Sequence, residues 1–345
     1  MKIVLKTSFD ETIEKDWKYI EKYSSLLIFQ SYEWKYNWCK CNKLNKKLRI
    51  VTVYEQDRPI AIFPFLIESF FIFRFVKWIG YDLSDYLGPI FHKENNLKKE
   101  NFLFLWAEIL KLLKKECDLI ILDKLINEKN YFENPMIQFL ECKKYDVTYG
   151  INLINWKNLI KEKSRALQKY RWSKKKISEI GNLIFEQNID KIEEKKNAMS
   201  LIVNWKKKMK KNKNIIFSNS FNDIFYNNII QNKDTHIAGL KLDNKFIALS
   251  FGIKFKNNYL YLVPAYNVGE KLLKYSPGKI LMIELIKFFS EKKINYFDFG
   301  SGAEKYKLEW KDHNIDVMNY IYQNNLNGFL LKVLYKIKKL INLWH

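Results

Sequence analysis

Arginine is scarce in a chain that is otherwise strongly basic. Of 60 lysine and arginine residues only five are arginine, namely Arg49, Arg58, Arg74, Arg165 and Arg171. A net charge of +22 ordinarily points to nucleic acid or an anionic surface. Phosphate and base recognition favours the guanidinium fork, however. Lysine, asparagine and isoleucine are abundant throughout, so about half of the charge signal reflects composition rather than function. DNA is not expected as a partner.

Cysteine and histidine are also few, four of each. Cys39 and Cys41 are too close for an ordinary disulfide, and no second pair completes a zinc site. Scattered thiols suit a reducing compartment. His92, His236, His313 and His345 share no ligand spacing, so no metal is expected. Long apolar runs are missing as well. The first residues lack the apolar core of a secretory signal. The stretch 60–80 is interrupted by Pro64, Glu68, Arg74 and Lys77, which makes it a poor membrane span and a better pair of buried strands. A cytoplasmic protein is expected.

What the chain has is apolar content: 48% hydrophobic residues and 16% aromatics, enough for real cores and room for two domains. The most informative stretch is 259–310. Residues 236–243, 246–255 and 259–266 have strand composition and are separated by Asp243-Asn244 and Lys256-Asn257-Asn258 turns. Ser276-Pro277-Gly278-Lys279 then opens a helix, with Ser276 as a good N-cap and Pro277 at the first helical position. The helix runs to about Phe289, and the chain returns as the strand 296–299, ending in Gly300-Ser301-Gly302. This is a strand–helix–strand unit. Its helix N-terminus presents free N–H groups and partial positive charge, which suit a phosphate or pyrophosphate. An ordinary capped helix is the alternative reading.

These residues resemble the GNAT acyltransferase superfamily, above all the branch named after CelD, the cellulose-biosynthesis acetyltransferases. The resemblance rests on Ser276-Pro277-Gly278 followed by Leu281, and on the run Phe297-Asp298-Phe299-Gly300-Ser301-Gly302-Ala303-Glu304-Lys305-Tyr306-Lys307 about 20 residues later. It is close over 236–311 and loose over the rest. The loop departs from the Q/R-x-x-G-x-G/A pattern of typical GNAT enzymes. The resemblance implies direct transfer of an acyl group from acyl-CoA, as co-substrate, to an amino or hydroxyl group. The expected acceptor is a sugar or sugar nucleotide in polysaccharide synthesis. Ser276, Pro277, Gly278 and Lys279 would cradle the donor, and Pro264 and Ala265 would fall where the third strand splays beside the acyl arm. Asp298, Glu304 and Tyr306 are candidates for proton transfer, with Lys307 as a rival. Tyr306-Lys307 matches an aromatic-lysine pair of the related FemABX aminoacyltransferases. Asp298 can equally cap the adjacent glycine turn.

The first half repeats the order of strands, loop, helix and strand, in pattern rather than in residues. The expected fold is therefore α/β (α+β): two GNAT-like domains, each a mixed, mostly antiparallel sheet flanked by helices. The expected division is 1–155 and 156–345, with a basic helix over 156–181 at the junction. Residues 13–47 read as mostly helical. Trp34 and Trp38 read as one apolar face, with Trp34 also a candidate substrate contact. The loop 80–89 carries Asp82, Asp85 and Tyr86 and reads as a turn or as a pocket wall. The basic helix offers Arg165 and Arg171 as contacts to an anionic substrate or donor. Residues 190–213 and 220–232 read as helices. The stretch 329–344 reads as a basic amphipathic helix that either caps its own domain or lies on a membrane. Two other functions stay open: an aminoacyl-tRNA-dependent transferase of FemABX type, and a non-catalytic GNAT-like binding protein.

Overall fold

The computed structural model describes residues 1–24, 26–42, 47–93, 97–127, 133–208, 220–267 and 269–342. Its strands are β1 Lys2–Lys6, β2 Lys47–Glu55, β3 Arg58–Phe70, β4 Phe73–Trp78, β5 Ile90–Phe91, β6 Leu119–Leu125, β7 Lys143–Asn152, β8 Leu183–Glu186, β9 Thr235–Leu242, β10 Lys245–Phe255, β11 Asn258–Tyr266, β12 Tyr296–Ser301 and β13 His313–Gln323. Two compact units result: Met1–Asp146 with Ile315–His345, and Val147–Asn314. Each is mixed α/β, and its sheet is antiparallel apart from one parallel pair.

The first unit orders its strands β1-β2-β3-β4-β6-β13, with β5 on β3, and the second β8-β9-β10-β11-β12-β7. The two orders correspond strand by strand. In each, an antiparallel meander leads through a helix to a parallel neighbour, β6 beside β4 and β12 beside β11. The helices are Lys99–Lys114 and Pro277–Ser290. In each, the parallel strand takes an antiparallel partner on its other side. For β12 this is β7, and for β6 it is β13, from the far end of the chain. A division near residue 155 therefore does not describe the chain. The last strand returns to the first unit because the outer edge of β6 is paired by β13.

The cores follow from the patterning. In the second unit Ile280, Leu281, Ile283 and Ile286 of the Pro277–Ser290 helix pack on Leu240, Tyr259, Tyr261 and Phe297 of the sheet. In the first, Phe102, Trp106, Ile109 and Leu113 of Lys99–Lys114 pack on Val51, Phe63, Phe65 and Ile120. A buried Phe or Ile contributes about 1.5–3 kcal/mol, so these sheet–helix interfaces hold each unit.

Other elements depart from the sequence pattern. Residues 13–47 divide into Glu11–Tyr23, a 3-10 turn Ile28–Gln30 and Tyr32–Cys41, with 43–46 outside the described residues. The basic helix 156–181 is two helices, Trp156–Glu162 and Ser164–Ser178, broken at Lys163. The helix expected over 190–213 is described as Ile192–Lys208, and its Lys/Asn-rich end falls outside the described residues. The pair of strands expected over 60–80 is present as a hairpin, with its turn at Phe71-Ile72: β3 and β4 pair back to Phe70 against Phe73.

Candidate active site

Within the second unit, β11 and β12 pair only from Asn258–Leu260 against Tyr296–Asp298. β11 runs on to Tyr266 beside β10, with Pro264 opposite Ser250 and Ala265 opposite Leu249. The two parallel strands thus separate, and the edge of β11 that carries Pro264 and Ala265 opens there. Pro264 has no N–H to leave orphaned. On the other side of β12 the register against β7 shifts between Asp298 and Ser301, so β12 bulges at Gly300 and ends at Ser301.

That turn is built by its own residues. Gly300 and Gly302 have positive φ of 70° and 99°, a conformation that glycine adopts without penalty. Asp298 is buried, and its Oδ1 accepts the Gly300 N–H at 2.7 Å and lies 3.4 Å from the Thr148 hydroxyl. A Cβ on Gly302 would meet the Glu304 carboxylate at 2.9 Å, so the glycine makes room for that side chain. Glu304 precedes the short helix Lys305–Trp310. Lys307 is 4% exposed. Its ammonium donates to the Ser301 carbonyl and sits 2.8 Å from Glu304 Oε2, whose side chain is 55% exposed. An ammonium has three donors, and these partners take two. Tyr306 packs edge-on to Phe299 at 6.2 Å. The four residues expected to handle protons thus stand around one turn.

Sequence reading missed Lys206. It lies on Ile192–Lys208, and burial pushes its ammonium down from the usual lysine range, with Glu304 opposing and Lys307 reinforcing the shift. Ile202, four residues earlier, is buried. A lysine in phase with that apolar face was the available signal.

The helix start lies on the same unit. Ser276 precedes Pro277 as expected, but it adopts φ +53° and its side chain makes no cap bond. The expected serine cap is replaced by a strained backbone, in which Lys279 N–H and Ile280 N–H reach the Ser276 carbonyl at 2.9 and 3.2 Å. Gly278 packs against Tyr266: a Cβ there would meet the ring at 3.0 Å. Lys279 pairs with Glu309 at 2.8 Å. A small depression of about 20 Å³ opens here, with Lys169, Ser173, Tyr275, Ser276, Lys279 and Glu309 in its wall. Lys169 and Ser173, on Ser164–Ser178, were not foreseen. Arg165 and Arg171 project from that helix into solvent.

The first unit answers differently. Trp34 and Tyr86, expected in a pocket wall, are each 1% exposed. Trp34 Nε1 donates to Ser84 Oγ at 3.0 Å, and Phe29 packs against both rings. These two are core residues: the helix Tyr32–Cys41 turns Trp34 inward, and the loop after β4 turns Tyr86 onto Phe29. Asp82 is exposed and accepts from Trp38 Nε1 at 2.7 Å, while Asp85 is half-buried. Between the tryptophans, Lys35 is fully buried, donates to the Ile79 carbonyl, and is pushed down to about 7 by burial. Among the described residues no group of histidine, cysteine, aspartate and glutamate could hold a metal ion.

Residues 164–308 match the family model described as an acetyltransferase (GNAT) domain. No curated protein matches the sequence. Among solved structures the chain is similar to that of FemX, at 12% identity and TM-score 0.62, over 96% of this chain and 99% of that one. It is similar also to the C-terminal domain of a putative lysylphosphatidylglycerol synthetase from Agrobacterium fabrum, at 10% identity and TM-score 0.56, over 93% and 94%. A third is a tandem GNAT protein from the clavulanic acid biosynthesis pathway, at 8% identity and TM-score 0.50, over 94% and 98%. At such identities the likeness is one of fold, a tandem GNAT-like architecture. The domain match adds the chemistry: residues 164–308, within the second unit, are similar to a GNAT acetyltransferase domain, and the chain is an acyltransferase. Neither comparison singles out the CelD-like branch.

Proposed function

We propose that the chain moves an acyl group from acyl-CoA to an amino or hydroxyl group of a sugar or sugar nucleotide, by direct attack without an acyl-enzyme. The observation that carries the donor half is the opening between β11 and β12, beside the helix start at Pro277. In this reading the pantetheine arm lies along Val263–Tyr266, and a backbone N–H of that edge polarises the thioester carbonyl. The phosphates meet Ser276, Gly278, Lys169 and Lys279 at the depression.

The acceptor nitrogen or oxygen attacks the carbonyl carbon, the C–S bond breaks, and the thiolate leaves. The proton lost by the acceptor goes to Glu304, the most exposed of the carboxylates at the turn. Lys307 offers its third N–H to the oxyanion and then a proton to the leaving sulfur. Asp298 holds the turn through Gly300, and Tyr306 shapes its wall. The preference for a sugar hydroxyl or amino group as acceptor follows the resemblance. The polysaccharide pathway itself rests on the resemblance alone.

Isothermal titration with acetyl-CoA, longer acyl-CoAs and free CoA tests this. The protein binds CoA thioesters, and Gly278→Glu, which puts a carboxylate at the helix start, loses that binding. Wild type that binds none of them overturns the donor assignment. A second reading, transfer from aminoacyl-tRNA, draws on the exposed basic face of Ser164–Ser178. It requires that ribonuclease abolish transfer.

A further inference from the structure

The hairpin between β3 and β4 turns on two residues that are unusual for a turn. Two-residue hairpin turns favour Gly, Asn and Asp, because these accept positive φ at little cost. Here the turn is Phe71-Ile72, with Phe71 at φ +52°. Phe70, Phe71 and Ile72 are 60%, 87% and 75% exposed, and the two phenyl rings stack edge-on at 4.7 Å. Strain and apolar exposure are thus concentrated at one tip.

The same corner of the first unit carries a second exposed apolar face. Asp118 accepts the Arg74 N–H, one pair behind the hairpin tip, at 2.8 Å. The same residue accepts the Asn324 N–H at 2.9 Å and the Asn325 side chain at 2.8 Å. The helix Leu326–Asn342 starts there, and it leaves Leu326, Phe329, Leu330 and Leu334 between 50% and 83% exposed. One aspartate therefore ties the strand beside the hairpin tip and the helix start together.

The charge around this corner is positive. Lys47 and Arg74 both act on Glu116, whose carboxylate is held below the usual range, first of all by its bond to Arg49. Lys114 and Lys115 end the Lys99–Lys114 helix, and the Lys114 carbonyl accepts from the Asn324 side chain. Apolar side chains that project beyond a rim of cations match an anionic bilayer, with headgroups for the cations and acyl chains for the rings.

We infer that the Phe70–Ile72 hairpin tip and the first turns of the Leu326–Asn342 helix form one docking surface for an anionic phospholipid bilayer. This surface is independent of the donor and acceptor assigned above. Flotation with vesicles of equal parts phosphatidylglycerol and phosphatidylcholine, against phosphatidylcholine alone, tests it in the full chain. The protein floats with the anionic vesicles, and added salt weakens the association. Phe71→Asn with Ile72→Gly installs a favoured turn sequence, so it keeps or raises the melting temperature while weakening association about tenfold or more. Leu330→Ser weakens it less. Wild type that stays with neither vesicle overturns the inference, as does a turn variant that floats undiminished. A wild-type dimer that the turn variant splits, without vesicle binding, overturns it in favour of a second copy as the occupant.

Discussion

The two units share a plan and differ in what fills its opening. In the first, β4 and β6 pair only at Phe75–Val76 against Leu119–Ile120 and then part. The loop after β4 enters the gap: Leu87 bridges to Leu125 and donates to the Lys124 carbonyl at 2.8 Å. Lys124 adopts φ +65° and sends its ammonium to the carbonyls of Tyr81 and Ser84 at 2.8 and 2.6 Å. In the second unit β11 and β12 part in the same way, and no isolated bridge among the described residues spans the gap. One copy of the plan has used its opening as core, with lysines locked onto carbonyls. The other keeps an opening beside a lysine paired with a half-exposed carboxylate. A strand pair that splays can be either a plug or a binding slot, and the loop that follows the strand decides which.

The largest test of that contrast is Lys307→Ala. Loss of an oxyanion-type donor costs about 10²–10³ in turnover. The neighbouring Glu304 is half-exposed and tolerates the loss of its partner, while the Ser301 carbonyl loses its donor, so the melting temperature should fall by only a small amount, and a cooperative unfolding transition remains. A variant that turns over normally removes Lys307 from the chemistry.

Lys35 is expected to behave in the opposite way, affecting stability through pH. Its folded value near 7 lies below the unfolded value of about 10.4. The unfolded chain therefore binds the proton more readily, and stability rises as pH climbs from about 7 toward 10. The rise from this group is roughly 3 kcal/mol. Lys35→Met, with similar length and no charge, should flatten that slope in urea unfolding at pH 7, 8.5 and 10. Equal slopes in the two proteins would mean that Lys35 is solvated.

Asp298→Ala should fall between these two. It strips the acceptor from a buried Gly300 N–H, which costs about 1–3 kcal/mol, and it loosens the turn that holds Lys307. A melting temperature that falls together with turnover marks a positioning role. Turnover that collapses at unchanged stability marks Asp298 as the proton acceptor in place of Glu304.

Much of the second unit was legible because its signals are local. The turns at Asp243-Asn244 and Lys256-Asn257, the Pro277 helix start and the glycines after Phe299 each write their own geometry. What was not legible depends on distant partners. Nothing within 317–323 says that this strand pairs with β6 rather than with a neighbour in sequence. Phe71-Ile72 lacks turn residues and so read as strand. Lys35 and Lys206 were passed over because a lysine reads as solvent-facing, although each is in phase with buried residues, Trp38 and Ile202.

The smallest effect expected is at Arg165 and Arg171. Both are exposed, and exposed charges contribute about 0–1 kcal/mol and are screened by salt. With acyl-CoA as donor, the double change to alanine should raise KM for the thioester a few-fold at low salt, leave kcat alone, and fade at high salt. If this helix face carries tRNA instead, the same change removes phosphate contacts along a polyanion, and both the loss of transfer and its salt dependence become much steeper. The slope of KM against salt in this one variant therefore distinguishes the two donors.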